Sequence, residues 1–430
     1  MQRVSAPERT REELRALMNG NLGTAEGRGD LVRLALRLIV EEALEGEVSD
    51  ALGRERYKRG EGEKAGYRNG YRTGKVKTAE GAVEYSAPQV RDTPEPFVSS
   101  VRSALSGRTQ ELERLAAELY ARGLSTRDIE DAFTDETGRR LLSRAAVSEV
   151  TERLWAEYED FCKRDLAEHA VVYLFVDGIA ERLRPGQRRE AVLAAWGVGE
   201  DGRKVLLGLM AGSKEDVETV RAFFQGLRAR GLGDPLLVVS DGAPGIIRAI
   251  EECFPRSARQ RCLAHRMRNL VAKAPTDLWP EFKVRVTACY QAPSRAIARQ
   301  LAAGVRADYV AQLPSALACF EDDFEACIAH LRLPVTHRRF IRTPNLLERR
   351  FVEERRRLKI IPNGFGEKPV LKPHVRRLIR AADRWRGLRF TEFELRQIAA
   401  VRKELDQQYE ASITPLARSS QPRVSSKSAP

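Results

Sequence analysis

Long apolar stretches are what this chain most clearly lacks. No segment approaches the roughly 18 consecutive apolar residues that a membrane-spanning helix needs, so a membrane is not expected among its partners. Cysteine is also scarce: six residues scattered through 430 give no disulfide framework. A reducing cytoplasm is the expected setting. Residues 1–30 are charged and glycine-containing, without the apolar centre of a secretory signal. Histidine is sparse too, and His169, His330, His337 and His374 form no catalytic pattern. His337 stands in a basic run, where contact with DNA and ordinary surface placement are both open.

What the chain has in excess is positive charge. It carries 74 Lys and Arg against 61 Asp and Glu, a net charge of +13. Most of the basic residues are Arg, whose guanidinium grips phosphate bidentately, so a polyanionic partner is expected. A generally basic protein from an Arg-rich proteome is the competing explanation. After the flexible N-terminus 1–30 comes a region 31–108. It opens with a helix, in which Leu31, Leu34, Ala35, Leu38, Ile39 and Ala43 share one face, and continues into a basic Tyr- and Gly-rich segment. Tyr67 and Tyr71, interleaved with Arg68 and Arg72, could stack on nucleic acid or decorate a solvated hairpin. Region 109–165 reads as a helix ending at Gly123, a helix N-capped by Ser125 and a further helix from about Ser143. That is the outline of a helix-turn-helix DNA-binding region.

From residue 166 the pattern becomes α/β. Val171–Val176 and Leu236–Val239 are continuous apolar runs, as in strands buried on both faces. The first runs straight into Asp177-Gly178 and the second, after Ser240, into Asp241-Gly242. Between them, residues 190–198 and 204–211 flank the turn Glu200-Asp201-Gly202, and 214–230 is an amphipathic helix. Three strands, a helix, a strand and a helix match the opening of a ribonuclease-H-like fold over 166–265. An all-α insertion over 266–335 follows, then core completion over 336–412 and a disordered tail over 413–430. The fold class is therefore α/β: a ribonuclease-H-like catalytic core with an all-α insertion, preceded by a mainly helical DNA-binding region.

Paired carboxylates at strand ends suit a divalent cation, and a third acid on a downstream helix, Glu348, would complete the set. Asp177 would bridge two Mg²⁺ or Mn²⁺ ions, with Asp241 on one and Glu348 on the other. On a helix Asn345, Glu348, Val352 and Arg355 or Arg356 form one stripe. Glu353 and Glu354 are competing third acids, though they point away from Glu348. Arg349, Arg355, Arg356 and Arg357 would hold phosphates. Cys262 and His265 form a C-x2-H pair, which alone is half a zinc site. Cys253 and Cys289 are conceivable partners at unconvincing spacing, and burial of Cys262 with His265 beside the active-site helix or a phosphate is the alternative.

The blocks Ser240-Asp241-Gly242-Ala243-Pro244-Gly245, Gln260-Arg261-Cys262-Leu263-Ala264-His265-Arg266-Met267-Arg268-Asn269 and Arg342-Thr343-Pro344-Asn345-Leu346-Leu347-Glu348-Arg349 resemble the signature of Mutator-type transposases of bacterial insertion sequences. Ala243 stands where some members of the family have His, and Pro344 where Thr is usual. The resemblance, spanning about residues 35 to 365, implies an Asp-Asp-Glu enzyme with the triad Asp177, Asp241 and Glu348. It also implies double-stranded DNA as partner, at element ends and target, and a homodimer or higher multimer in a nucleoid-associated cytoplasmic setting. An inactivated, DNA-binding regulator and a nuclease that cuts without joining are the rival readings.

Overall fold

The computed structural model describes residues 4–20, 24–56, 58, 66–134, 138–181, 190–211, 217–343 and 387–419. The chain divides into two compact units, Met1–Arg153 and Leu154–Pro430.

In the first unit, α1 (Ala6–Asn19) opens with a reciprocal cap: the Ser5 hydroxyl accepts the Glu8 N–H while the Glu8 carboxylate accepts the Ser5 N–H. Helix α2 (Ala25–Leu52) lies against a hairpin of β1 (Tyr67–Thr78) and β2 (Gly81–Arg91). Alternate residues Val83, Tyr85 and Ala87 face Val40 and Leu44 of the helix. The basic Tyr- and Gly-rich segment is therefore in part a core strand. Gly74 is required there, because a Cβ would sit 2.4 Å from the Tyr85 ring. Tyr71 does not offer an open ring face: its hydroxyl is bonded to Glu45 and Arg56, and its ring lies under Arg9 and Arg56. Tyr67 stays exposed. Buried Glu41 is satisfied by Thr10 Oγ1, Arg37 Nε and the Ser86 N–H, so its charge is not stranded.

Helix α3 (Ser100–Ala104) and the two-residue β3 (Gly107–Arg108), parallel to β1, lead into α4 (Gln110–Ala121) and α5 (Thr126–Ala132). The turn between them follows its residues. Gly123 takes φ +103, Leu124 donates back to Leu119, and Ser125 with Asp128 forms the cap of α5. Helix α6 (Arg144–Lys163) follows, its first N–H accepted by buried Glu130.

The second unit is built on a sheet of β4 (Val171–Glu181), β5 (Glu190–Gly199), β6 (Lys204–Ala211), β7 (Leu237–Ser240) and β8 (Ala258–Arg261). Strand order is β6-β5-β4-β7-β8. The first three are antiparallel, whereas β7 and β8 run parallel to β4. Helices α7 (Val217–Ala229) and α8 (Pro244–Cys253) pack with Leu174, Val176, Leu193 and Val238 on one face. Tyr173, Phe175, Trp196, Leu237 and Val239 fill the other, together with Phe161 of α6. Two-sided burial explains the absence of polar alternation in β4 and β7. At the open side of β6, side chains rather than a strand take backbone carbonyls: Tyr158 donates to Leu209, Arg164 to Leu206 and Arg230 to Leu207.

After β8 the described chain is helical to residue 341: α9 (Leu263–Val271), α10 (Trp279–Tyr290), α11 (Arg295–Tyr309), α12 (Pro314–Glu321), α13 (Phe324–Cys327), a 3₁₀ turn (Ala329–Arg332) and α14 (Val335–Ile341). The C-terminal helix Glu392–Ser419 lays Ile398 and Leu405 on the Phe175 face. Placing His337 against DNA is corrected by this packing. It is 1% exposed, bonded through Nδ1 to the Tyr173 hydroxyl (2.8 Å) and through Nε2 to the Arg389 carbonyl (3.3 Å).

Strand β8 has no apolar run, and a buried polar network holds it instead. Gln260 donates to the carbonyls of Arg261 and Cys327 and accepts the His330 N–H, while His330 Nε2 meets the Tyr290 carbonyl. Gln260→Leu leaves these groups unpaired and should lower unfolding stability by about 2 kcal/mol, read from the urea midpoint. An unchanged midpoint would count against the network. Burial also pulls the His330 imidazole from 6.5 down to about 4. Between those values the unfolded chain binds a proton that the folded chain refuses. Stability is therefore complete above pH 6.5 and declines as pH falls toward 4. Urea titrations across that interval should show the decline, and His330→Gln should make it shallower.

Candidate active site

The strands that lead into the two Asp-Gly pairs are paired in parallel. Parallel pairing matches Tyr173 with Leu237, Leu174 with Val238 and Phe175 with Val239, a constant offset of 64 residues. Two steps further along the same register stand Asp177 and Asp241. Paired strands lie about 4.8 Å apart; Asp177 lies within β4, and Asp241 stands one residue past the end of β7. Tyr173 and Phe175 of β4 turn toward the same core as Leu237 and Val239 of β7, and each acid is two residues beyond that series. Asp177 sits within β4, opposite Ala194 of β5, and is 6% exposed.

Asp241 is half-buried just past β7, and its Oδ1 accepts the Ala243 N–H at 3.0 Å. This Asx turn fixes the carboxylate before α8 begins. Ala243 is the residue preceding α8 and Pro244 its first, a position where the missing N–H costs nothing. Gly242 takes φ +85, and a Cβ there would stand 2.5 Å from Arg261 Nε. A left-handed turn and the close approach of an arginine therefore both demand glycine.

Strand β8 delivers the next block. The Cys262 N–H donates to the Ser240 carbonyl at 2.7 Å, and Cys262 Sγ accepts the His265 N–H, capping α9. Cys262 is fully buried and His265 half-buried. Cys253 packs in the core with α7 and α8, whereas Cys289 packs in the helical block, so neither supplies a further sulfur to a zinc site at Cys262. Among the described residues no three His, Cys, Asp or Glu side chains cluster to hold a metal.

The third acid, Glu348, lies outside the described residues, as do Pro344, Asn345, Arg349, Glu353, Glu354, Arg355, Arg356 and Arg357. The root of that segment is described. The Arg342 carbonyl accepts the Leu263 N–H at 3.0 Å, which ties it to the start of α9, immediately after β8. Six further residues reach at most about 20 Å.

One charged group escaped the sequence reading. Arg259 pairs with Asp323 through two bonds, the Nη2 bond at 2.6 Å, while Arg261 and Arg266 both reach Asp322 Oδ2. Burial pushes the Asp322 carboxyl up, but the bonds and charge of Arg266 and Arg261 outweigh it and hold the group below its ordinary value. The available signal was the alternation of Arg259 and Arg261 along a strand, which puts both on one face.

Gly242→Ala should destabilise the protein by at least about 1–2 kcal/mol, the cost of left-handed backbone for a residue with a Cβ, and should displace Arg261. Thermal unfolding tests this, and a variant as stable as the parent would remove both constraints.

The profile of the family described as "Transposase, Mutator family" matches residues 9–386. Among similar proteins is the transposase for insertion sequence element IS6120 of Mycolicibacterium smegmatis, 31% identical over 271 residues, covering 63% of this chain and 84% of the relative. The transposase for ISRM5 of Rhizobium meliloti (strain 1021) is 30% identical over 339 residues, 78% of this chain and 84% of the relative. The transposase for IS256 in transposon Tn4001 of Staphylococcus aureus is 29% identical over 336 residues, with 77% and 85% covered. With the profile spanning most of its length and the paired acids embedded in the matched region, the chain belongs to the Mutator family of transposases.

Proposed function

We propose that this transposase cuts and rejoins DNA at the ends of an insertion sequence, with Asp177, Asp241 and Glu348 as the ligands of two divalent cations, Mg²⁺ or Mn²⁺. The observation that carries the reading is the β4–β7 register, which, continued two residues, would bring Asp177 and Asp241 alongside each other. Oxygen-only donors on short side chains suit a hard cation that keeps part of its water shell. When bound, such a pair of ions would offset charge on the phosphate and activate the attacking oxygen. The sheet order, with three antiparallel strands followed by two parallel ones, supports a ribonuclease-H-like core.

The protein contributes placement. The Asx turn aims Asp241 before any ligand arrives, and the two-sided core keeps Asp177 from moving. Water opens the phosphodiester at the element's end and leaves a 3′-hydroxyl. That hydroxyl then displaces at a target phosphate, each step forming one P–O bond and breaking one. Arg349, Arg355, Arg356 and Arg357 would hold phosphates near the third acid. The α4–α5 turn with α6 supports recognition of terminal inverted repeats, and joining two ends calls for a dimer or higher multimer. Among the described residues no helix is long and apolar enough to cross a membrane.

Labelled element ends incubated with Mg²⁺ should be cleaved by the parent chain. Asp177→Asn, Asp241→Asn and Glu348→Gln should each lose at least about 100-fold in cleavage, while binding of the same duplex persists. Glu353→Gln and Glu354→Gln should cleave normally. Cleavage that survives loss of Asp241 would remove it from the mechanism. Tight binding without cleavage by the parent would favour a DNA-binding regulator.

A further inference from the structure

We propose that a cleft beside Asp241, lined by Arg261, Arg266, Asn269, Lys273 and Asp322, seats one phosphate of the DNA backbone, and that Asp322 occupies this seat when DNA is absent. This rests on the reading of the chain as a DNA-cutting enzyme and adds a contact to the same substrate.

The cleft has a volume of about 370 Å³. Its charged lining is three cations against one carboxylate. Arg266 is only 1% exposed, and its guanidinium is carried inward to the Cys319 carbonyl at 2.6 Å. Asp322 Oδ2 lies 3.1 Å from Arg261 Nη1 and 3.2 Å from Arg266 Nη2. One anionic oxygen wedged between two guanidinium groups is the arrangement a phosphate oxygen adopts. Asp323 Oδ2 also lies 3.6 Å from Arg261 Nη1, yet the Nε–H groups of both arginines have no acceptor among the described residues, so donors remain for a phosphate.

Asp322 is suited to give way. Its side chain is 65% exposed, in contrast to the 14% of Asp323, which stays tied to Arg259. One wall of the seat is close to Asp241: Arg261 lies against Gly242, the next residue. Arg266 and Asn269 are one turn apart on α9, and exposed Lys273 stands just beyond its end. A strand presenting one phosphate to Asp241 would therefore lay a neighbouring phosphate along this basic line.

The test uses the full chain and a labelled duplex, with anisotropy titrations at several salt concentrations. Asp322→Asn keeps an acceptor for the arginines but removes the competing charge, and it should bind several-fold more tightly than the parent. Lys273→Ala removes an exposed side chain without touching the core. It should weaken binding and reduce the slope of log affinity against log salt by about 0.9, the value for one lost phosphate contact. Circular dichroism melts check that both variants are folded. Affinity of Asp322→Asn no higher than the parent's, or a slope unaltered in Lys273→Ala, would overturn the proposal. Loss of Mg²⁺-dependent cleavage by the parent, with both binding changes present, would count against the transposase reading and leave the seat standing.

Discussion

The parallel pairing of β4 with β7 is the constraint on which the second unit depends. A slip of one residue would turn each strand's side chains to the opposite face, because side chains alternate strictly along a strand. The core prevents the slip from both sides. Tyr173, Phe175, Leu237 and Val239 are committed to one cluster, and Leu174, Val176 and Val238 to the other. Moving either strand by one position would exchange these sets wholesale. The register of the two strands is thus a by-product of apolar packing, and the Asx turn fixes Asp241 just beyond β7.

Polar staples attach the helical block to that sheet. Gln260 and His330 join β8 to the 3₁₀ turn, Tyr173 and His337 join β4 to α14, and Arg259 reaches Asp323 after α12. Each lies within a few residues of an acid or of the Cys262 cap. Such networks hold register well when every member is satisfied, and they are costly when one is lost. They explain how a sheet with a short, charged β8 keeps that strand in place.

Much of this was legible in the amino-acid order. The apolar runs ending in Asp177 and Asp241 marked β4 and β7, and Glu200-Asp201-Gly202 marked the hairpin. Pro244 opened α8, and Ser125 capped α5. Strand β8 was not legible, since Ala-Arg-Gln-Arg carries no hydrophobic period and owes its state to pairing with β7 and to the Gln260 network. The hairpin of the first unit was one of two readings of its Tyr- and Gly-rich segment, but its buried face, carried by Val83, Tyr85 and Ala87 at a period of two, was not read. His337 misled because its neighbours Arg338 and Arg339 are basic, whereas its own ring turns inward to Tyr173. Long-range pairing decided each of these cases, and local composition does not encode it.

The treatment of β6 bears on how copies of the chain could assemble. An outer strand with free carbonyls is an invitation to a neighbouring sheet. Here Tyr158, Arg164 and Arg230 fill that row with their own donors. A neighbouring strand would find these three acceptors of β6 already taken.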